Sequence, residues 1–355
     1  MDDKYTRRLE KIEVQIKKWL PENPGSVWFD DVFSEIVSSS SSIKSELIAS
    51  LTTPGWDLVN RGGKRWRPLL LLLAAESMGG ERGEEAALPL TPLVEFPHNA
   101  SLIHDDIEDN SDERRGKPAV HLIYGTDTAI NAGTFLYFLP LACLSAWEGG
   151  RDSVIPNLKE KIWEIWAGHM RALHLGQAMD ISWHRDFYSL PALDEYDKMC
   201  RLKTGCLARL AAVLGVYLGG AASSSISQDE AGSVARSYGD AAEKLGVGFQ
   251  IIDDVKNLMG EIHGKKRGDD IVEGKKSLPV LLYLHRYPEK LEFTARCFTA
   301  ARLGGTKTPE VGEFIAELEK TGILKEALEK GREYIRESRD VFNTELLADL
   351  ICSMV

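Results

Sequence analysis

The sequence predicts an all-α protein, a single large bundle of ten or more helices. Three observations support this class. Apolar residues recur at three- and four-residue spacing along most of the chain, no convincing apolar–polar alternation of a strand is found, and short breakers separate the periodic segments. The chain has 355 residues and 43% apolar content, which is ample for a large core. No linker is long enough to divide it, so we expect one domain over residues 1–355.

The helical segments follow one another with short interruptions. Residues 1–25 are predicted to form an N-terminal helical extension that ends at PENPG. The periodic segments are 3–20, 64–78, 86–109, 126–147, 157–185, 192–219, 227–259, 276–286 and 311–347. Later breakers are MGGERG at 78–83, RRGKP at 114–118, SSS at 223–225 and HGKKRGDD at 263–270. The serine run at 38–42 is interpreted as a loop or a helix cap.

The charge and cysteine content exclude several classes of protein. The formal net charge of −11 argues against a generic binder of nucleic acid or anionic membranes. The five cysteines form no CxxC pair, which is typical of a reducing compartment. The N-terminus lacks the apolar core of a signal peptide, and the longest apolar run, 68–75, is too short to span a bilayer. We therefore expect a cytoplasmic protein with no transmembrane segment.

The acidic stretch SLIHDDIEDNSDE at 101–113 predicts a metal site at the end of an apolar segment. Asp105 and Asp109 are four residues apart, so on a helix their Cβ atoms lie roughly 5–6 Å apart on one face. Two bare carboxylates at that distance repel by about 3 kcal/mol at an effective dielectric near 20, and a divalent cation reverses the sign. Oxygen ligands without His or Cys favour a hard ion, Mg²⁺ or Mn²⁺.

A second acidic stretch, FQIIDDVKN at 249–257, repeats this pattern. Asp253 and Asn257 are again four residues apart, and Asp254 follows Asp253. Two such helices face to face would suit bridging metals and a phosphate or diphosphate. The alternative is that each Asp pair caps a helix or is solvated. The recurrence after two apolar runs favours the metal site, and a calcium loop is excluded by the spacing.

Basic clusters stand out against the acidic background. RGGKRWRP at 61–68 places Lys64 and Arg67 beside a predicted helix N-terminus, a favourable setting for an anion. RRGKP at 114–118, LKTG at 202–205 and GKKRGDDIVEGKK at 264–276 carry further cations. Each cluster alone is compatible with a solvated face. Together with two metal sites they indicate a substrate with several phosphates.

The order of these motifs resembles that of the trans-isoprenyl diphosphate synthases, also called polyprenyl synthetases, and is closest in character to geranylgeranyl and farnesyl diphosphate synthases. The resemblance extends from about residue 60 to 285. The matching stretches are GGKRWRP (62–68), HDDIEDNSDERRGKP (104–118), LHLGQAMDI (173–181), KTG (203–205), FQIIDDVKN (249–257) and GDDIVEGKKSLP (268–279). The resemblance implies an isoprenoid synthase-like bundle around a central substrate cavity, a homodimer, and no nucleic-acid partner.

The resemblance also implies a role for each matching residue. Metal would be held by Asp105, Asp109 and Asp253, with three Mg²⁺ ions per site and Mn²⁺ as a substitute. Asp106, Asp254 and Asn257 would act on the metals indirectly. Isopentenyl diphosphate would be held by Lys64, Arg67, His98 and Arg115, and the allylic diphosphate by Arg114, Lys203, Lys266 and Lys275. Thr204 and Gln250, with Lys203, would be the catalytic residues near the developing allylic cation.

The implied reaction is head-to-tail condensation of isopentenyl diphosphate with an allylic diphosphate. Family members that stop at short products carry bulky aromatics one turn before the first aspartate, where this chain has Ala100 and Ser101. We therefore expect a product longer than farnesyl, with geranylgeranyl diphosphate preferred and Phe96, Phe135, Tyr137 or Phe138 as a deeper floor. Two alternatives remain: a terpene cyclase that uses the same metal chemistry, and a non-catalytic subunit of a heteromeric synthase.

Overall fold

The structure, a computed structural model, describes residues 3–33, 37, 43–149, 155–223, 227–261, 266–342 and 344–352. The serine run at 38–42, Ser224 and Ser225 of the next breaker, and residues 263–265 lie outside this part of the chain. The described residues are mainly helical, with almost no sheet, which confirms the predicted all-α class and the expectation of ten or more helices.

The chain forms two compact units. The first comprises Met1–Trp166 and Leu210–Gly239, and the second comprises Ala167–Arg209 and Asp240–Val355. Three helices contribute residues to both units: α9 (Leu158–Arg185), α11 (Cys206–Ser223) and α12 (Gln228–Met259). The expectation of one domain over residues 1–355 stays a prediction.

The first unit contains the helices that precede α9 and one short hairpin. These elements are α1 (Asp3–Trp19), α2 (Ser26–Phe33), α3 (Ser45–Asn60), α4 (Trp66–Ala87), α5 (Pro92–Glu108), β1 (Glu113–Arg114), β2 (Lys117–Pro118), α6 (Val120–Tyr124), α7 (Thr126–Phe138) and α8 (Pro140–Ala146). Helix α1 is an integral part of this unit: Tyr5, Ile12 and Ile16 are buried, and Arg8 pairs with Glu76 and Glu84 of α4.

The leucine run of α4 lies in the core of the first unit. Leu69–Leu73 are at most 1% exposed. The predicted break at MGGERG takes the form of a kink, because Gly80 has φ 59° and ψ −149° inside α4. On α11, Gly219 comes so close to α4 that a Cβ there would lie 2.1 Å from the Ala75 carbonyl oxygen. Only glycine permits this approach of two backbones.

The second unit has its own apolar core. Its remaining elements are α10 (Leu193–Cys200), α13 (Asp269–Glu273), α14 (Leu278–Arg286), α15 (Leu291–Gly304), α16 (Pro309–Lys320), α17 (Ile323–Arg339) and α18 (Glu345–Cys352). A turn of π-helix, Arg201–Gly205, joins α10 to α11. Phe314 lies at the centre of the core and makes edge contacts with Tyr283 and Phe298, at ring-centroid distances of 5.8 and 5.5 Å.

Several elements differ from the sequence prediction. The segment 311–347 contains parts of three helices, because Gly322 adopts φ 74° between α16 and α17, and residues 340–344 separate α17 from α18. Helix α3 was not predicted, and it contains Pro54 in its interior. Its Gly55 packs against Leu136 of α7, where a Cβ would lie 2.9 Å from a terminal carbon of that side chain. Helices α2, α6, α13 and α15 were also missed.

Two helical stretches are long and apolar enough to cross a membrane by length and composition, Thr126–Ala146 and Leu193–Ser223. The apolar windows of these stretches are 44% and 78% buried in the fold. Core helices of soluble proteins meet the same criteria, so these two stretches are weak support for a membrane span. The cytoplasmic location and the absence of a transmembrane segment stay predictions.

Candidate active site

The acidic end of α5 presents two half-buried carboxylates on one side of the helix and hides a third. The Asp109 N–H donates to the Asp105 carbonyl oxygen at 2.9 Å, so the last helical turn is intact and the two residues lie on one face. Both side chains are half-buried, whereas Asp106 is fully buried. The sequence prediction of paired acids at the end of an apolar helix is confirmed in this respect.

Asp106 holds the hairpin that follows α5. Its Oδ1 accepts from Arg114 Nε at 2.9 Å and from Nη2 at 2.5 Å. The hairpin turn consists of Arg115 and Gly116, both at positive φ, as a tight two-residue turn requires. Burial raises the pKa of Asp106, and Arg114 partly offsets this. Since Arg114 is engaged with Asp106, its role toward an allylic diphosphate stays a prediction.

Three of the residues predicted to hold isopentenyl diphosphate influence one another. The pKa of His98 lies well below its usual value because of burial and then because of Arg67 and Arg115. Burial also lowers the pKa of Arg115 to about 10. Positive φ at Gly63 lets the loop before α4 approach Arg115, where a Cβ would lie 3.3 Å from Nη2. A neutral imidazole among guanidinium groups is a favourable place for an anion.

Lys64 and Arg67 flank the start of α4, as predicted. Lys64 is exposed two residues before the helix, and Arg67 is in its first turn, with its guanidinium 4.5 Å from the ring centroid of Trp66. The other two arginines of this motif have structural roles. Arg61 pairs with Asp57 and donates to the carbonyl oxygens of Arg114 and Pro118.

Arg65 anchors this loop through a buried relay that sequence reasoning missed. It donates to Glu13 of α1 at 2.7 Å and to Glu95 of α5 at 2.9 Å, and its own backbone is left-handed at φ 49°. Glu95 also accepts from Asn99 at 2.9 Å, and the Asn99 amide oxygen accepts from Arg115 at 3.2 Å. Glu95 and Asn99 are four residues apart on α5, ahead of the acidic stretch, so they share a face of the helix. An analysis of apolar periodicity does not detect such a polar pair.

The second acidic stretch lies near the C-terminal end of α12. Asp253 is exposed, Asp254 is 5% exposed and Asn257 is 1% exposed. The Asn257 amide oxygen accepts from the backbone N–H of Asp270 at 3.3 Å. Asn257 therefore holds the start of α13. In this second stretch, one position of the four-residue spacing is an exposed acid, Asp253, and the other is a buried amide with a structural role, Asn257.

Asp254 is the centre of a buried polar network. It accepts from Gln250 Nε2 at 2.8 Å and from the Tyr196 hydroxyl at 3.3 Å, and Gln250 in turn accepts from Thr204 at 2.8 Å. The pKa of Asp254 is raised to about 8. Burial is the main cause, and the negative charge of Asp270 is the second. Thr204 and Gln250, predicted from the family resemblance to lie together, are thus in direct contact.

Two of the predicted lysines of the second unit pair with carboxylates through their side chains. Lys203 donates to Asp180 of α9 at 2.5 Å, and Lys275 pairs with Glu273 and lies 3.8 Å from Asp270. The backbone N–H of Lys266 donates to Asp269 at 2.8 Å. Asp180, Asp270 and Tyr196 were not assigned from the sequence, although Asp180 and Asp270 lie within the motifs LHLGQAMDI and GDDIVEGKKSLP.

The residues predicted to set product length differ in burial. Ala100 is fully buried, Ser101 is half-buried, and the Ala100 carbonyl oxygen lies 2.9 Å from Nδ1 of His104. Phe96 is also fully buried, whereas Phe138 is 60% exposed. Phe138 therefore does not line the interior of its unit, and Phe96 is the better placed of these two candidate floors.

In each unit, the candidate ligands fit a hard divalent cation better than a soft one. Within the described ranges, no three His, Cys, Asp or Glu side chains are already grouped to hold an ion. Asp105, Asp109 and Asp253 offer carboxylate oxygens, and Asp106 Oδ2 is buried without a hydrogen-bond partner. Carboxylates without His or thiolate partners are the ligands that Mg²⁺ and Mn²⁺ prefer.

Solved structures share the fold. A polyprenyl synthase from Caulobacter crescentus CB15, whose crystal contains calcium and isoprenyl diphosphate, superposes with a TM-score of 0.73 at 25% identity. The match covers 99% of this chain and 96% of that one.

Characterised relatives are similar in sequence. A geranylgeranyl diphosphate synthase of Methanosarcina mazei is 38% identical over 63% of this chain and 64% of its own length, slightly less than two thirds of that relative. A geranylfarnesyl diphosphate synthase of Aeropyrum pernix is 31% identical over 81% of this chain and 85% of its own length. Residues 48–307 match the polyprenyl synthetase family. This match covers well over half of the chain, and the chain belongs to the polyprenyl synthetase family.

Proposed function

We propose that the chain is a trans-prenyltransferase that condenses isopentenyl diphosphate with an allylic prenyl diphosphate. The observation that carries the proposal is the cluster in the first unit in which the neutral imidazole of His98 feels the positive charges of Arg67 and Arg115. This cluster would bind a diphosphate without metal, in addition to the diphosphate that the aspartates would serve through metal. A terpene cyclase acts on one diphosphate and has no use for this cluster.

Magnesium, held by Asp105, Asp109 and Asp253, would supply positive charge to the leaving diphosphate. Lys203, Lys266, Lys275 and Arg114 would bind the allylic diphosphate while its C–O bond breaks. The double bond of isopentenyl diphosphate then attacks the allylic carbon, and the proton that is lost goes to the released diphosphate. Thr204 and Gln250 would place polar oxygens beside the developing cation, and Arg67, His98 and Arg115 would orient the nucleophile.

The test is an assay with the purified chain alone. It is incubated with isopentenyl diphosphate, Mg²⁺ and dimethylallyl, geranyl or farnesyl diphosphate in turn, and the products are sized. Elongated prenyl diphosphates support the proposal. Cyclic or rearranged hydrocarbons released without use of isopentenyl diphosphate would indicate a cyclase, and the absence of turnover would indicate a non-catalytic subunit.

We propose geranylgeranyl diphosphate as the main product. The relatives above form geranylgeranyl and geranylfarnesyl diphosphates, and small residues stand at Ala100 and Ser101. Ala100→Phe should shorten the product. Since Ala100 is fully buried and overpacking costs about 1–3 kcal/mol, Ser101→Phe at the half-buried neighbour is the parallel variant. A wild-type product that stops at farnesyl, unchanged in both variants, would contradict this pocket.

We propose that the chain forms a homodimer through α6 and α7. Leu122 and Ile123 on α6 are 57% and 46% exposed, and Ile130 and Phe138 on α7 are 44% and 60% exposed. Such apolar side chains on adjacent helices are typical of an interface. Light scattering coupled to gel filtration should give twice the monomer mass, and Ile130→Glu with Phe138→Glu should give the monomer mass.

A further inference from the structure

The turn that carries Lys203 and Thr204 is held between two glycines. Residues Arg201–Gly205 form a turn of π-helix, a feature that often marks functional sites. At Gly176 of α9 a Cβ would lie 2.4 Å from the Lys203 nitrogen, and at Gly246 of α12 it would lie 2.6 Å from Gly205 Cα. Two helices therefore touch the turn with their backbones.

A chain of hydrogen bonds ties the first residue of this turn to the C-terminal part of the protein. Arg201 donates from Nε to Asp197 of α10 at 2.6 Å and from Nη1 to Glu243 of α12 at 3.0 Å. The Tyr334 hydroxyl of α17 donates to the other oxygen of Asp197 at 2.5 Å. Burial, with the bond to Asp197, raises the pKa of Tyr334 to about 12, so the phenol keeps its proton at neutral pH.

A cleft adjoins these hydrogen bonds. It has a volume of about 530 Å³, and its lining includes Tyr334, Asp197 and Arg201 together with Val247 and Ile251. Because open space lies on this side of Arg201, packing alone does not fix its guanidinium there. The bonds to Asp197 and Glu243, with Tyr334 bracing Asp197, supply the missing restraint.

We propose that Tyr334 is a positioning residue for the allylic diphosphate. Through Asp197 and Arg201, Tyr334 restrains the turn that carries Lys203 and Thr204. The proposal rests on the proposed function for the roles of Lys203 and Thr204. It gives the C-terminal helix α17 a part in catalysis, although Tyr334 itself touches no reacting group. It further implies that the effect is selective for one of the two substrates.

The experiment compares Tyr334→Phe with Tyr283→Phe. Both variants remove one phenol hydroxyl that donates to a carboxylate in the second unit, since Tyr283 donates to Glu317 at 3.3 Å. Tyr334→Phe should raise the KM for the allylic diphosphate about tenfold and leave the KM for isopentenyl diphosphate unchanged. Tyr283→Phe should leave both constants unchanged. An equal rise in both constants in Tyr334→Phe, or the same allylic rise in Tyr283→Phe, would overturn the proposal.

A second readout does not depend on the reaction. Amide hydrogen exchange of residues 201–205 should be faster in Tyr334→Phe than in Tyr283→Phe, and unchanged exchange there would refute the restraint. If Tyr334→Phe does not fold, Glu243→Gln tests the same restraint with the same expected results. If Lys203→Ala leaves the allylic KM unchanged, the substrate assignment fails on its own, and the exchange data still decide whether Tyr334 restrains the turn.

Discussion

At the scale of single residues, neighbours within one motif have opposite roles. In RGGKRWRP, Arg65 is 5% exposed and bound by two carboxylates, whereas Arg67 lies beside His98 with its guanidinium on Trp66. The sequence marks both positions only as basic. The structure separates them, because Arg65 adopts a left-handed backbone that turns its side chain toward Glu13 and Glu95.

Substitution of each arginine by methionine should separate stability from substrate binding. Arg65→Met leaves Glu95 buried without its cation, which should lower the free energy of unfolding by about 3–5 kcal/mol. Arg67→Met should leave stability nearly unchanged and raise the KM for isopentenyl diphosphate about 10- to 100-fold, the equivalent of one charged hydrogen bond. Denaturant unfolding and steady-state kinetics on both variants check this. If both variants changed the free energy of unfolding and the KM for isopentenyl diphosphate to the same extent, this division of roles would be contradicted.

Asp105→Asn should abolish most turnover without cost to the folded state. Asp105 raises the pKa of the buried Asp106, so loss of its charge relieves a repulsion and stability of the metal-free chain should hold or rise. The proposed metal ligand is lost, and kcat should fall at least about a hundredfold. The matched control is Glu108→Gln, an exposed acid on the same helix, which should retain activity. Near-normal turnover in Asp105→Asn would refute the metal assignment.

At the scale of elements, apolar periodicity predicts long amphipathic helices well. It predicts helices whose buried residues are mostly small poorly. Helices α1, α9 and α12 were predicted to within one residue at each end, whereas α5 begins at residue 92 rather than 86. Helix α15 was missed although five of its residues are buried, because Thr294, Ala295, Cys297 and Ala301 give little hydrophobic signal. The β1–β2 hairpin was predicted only as a breaker. Its tight turn has positive φ at both Arg115 and Gly116, and a positive φ at an arginine cannot be read from the sequence.

The contact of α4 with α11 should not tolerate a methyl group at Gly219. Its Cβ would lie 2.1 Å from a backbone oxygen, so the helices must separate, and overpacking of this kind costs about 1–3 kcal/mol or more. Gly312→Ala on α16 is the matched control, because nothing lies within 4 Å of its Cβ. That variant should gain about 0.5–1 kcal/mol from helix propensity. Thermal unfolding of Gly219→Ala at the wild-type Tm would contradict the close approach.

At the scale of the whole molecule, the sequence motifs identify the family and its candidate residues, and the folded chain decides which of them are already engaged. Asp105 and Asp253 keep part of their surface, as metal ligands would, while Asp106, Asp254 and Asn257 are buried. Local spacing cannot separate these cases. Burial depends on partners far along the chain, such as Tyr196 for Asp254, which lies 58 residues away.

The buried Asp254 should make the stability of the metal-free chain fall as pH rises through neutrality. Its pKa is about 8 in the folded state and about 3.9 in an unfolded chain, so between these values the folded state holds a proton that the unfolded state has released. Each pH unit then costs the folded state up to about 1.4 kcal/mol, and the slope ends above about pH 8.

Comparison with Asp254→Asn isolates this effect, because burial also lowers the pKa of Lys276 to about 8, and its deprotonation makes the stability of both proteins rise with pH near and above that value. The pKa of His98 is lowered by folding, so His98 makes stability rise with pH only up to its unfolded value, about 6.5. Tm is measured across pH 6.5–8.5 in EDTA, a range set by these pKa values. Relative to Asp254→Asn, which lacks the titrating carboxyl, the wild-type Tm should fall as pH rises from about 6.5 to 8. Parallel curves for the two proteins would mean that Asp254 is already ionised in the folded chain.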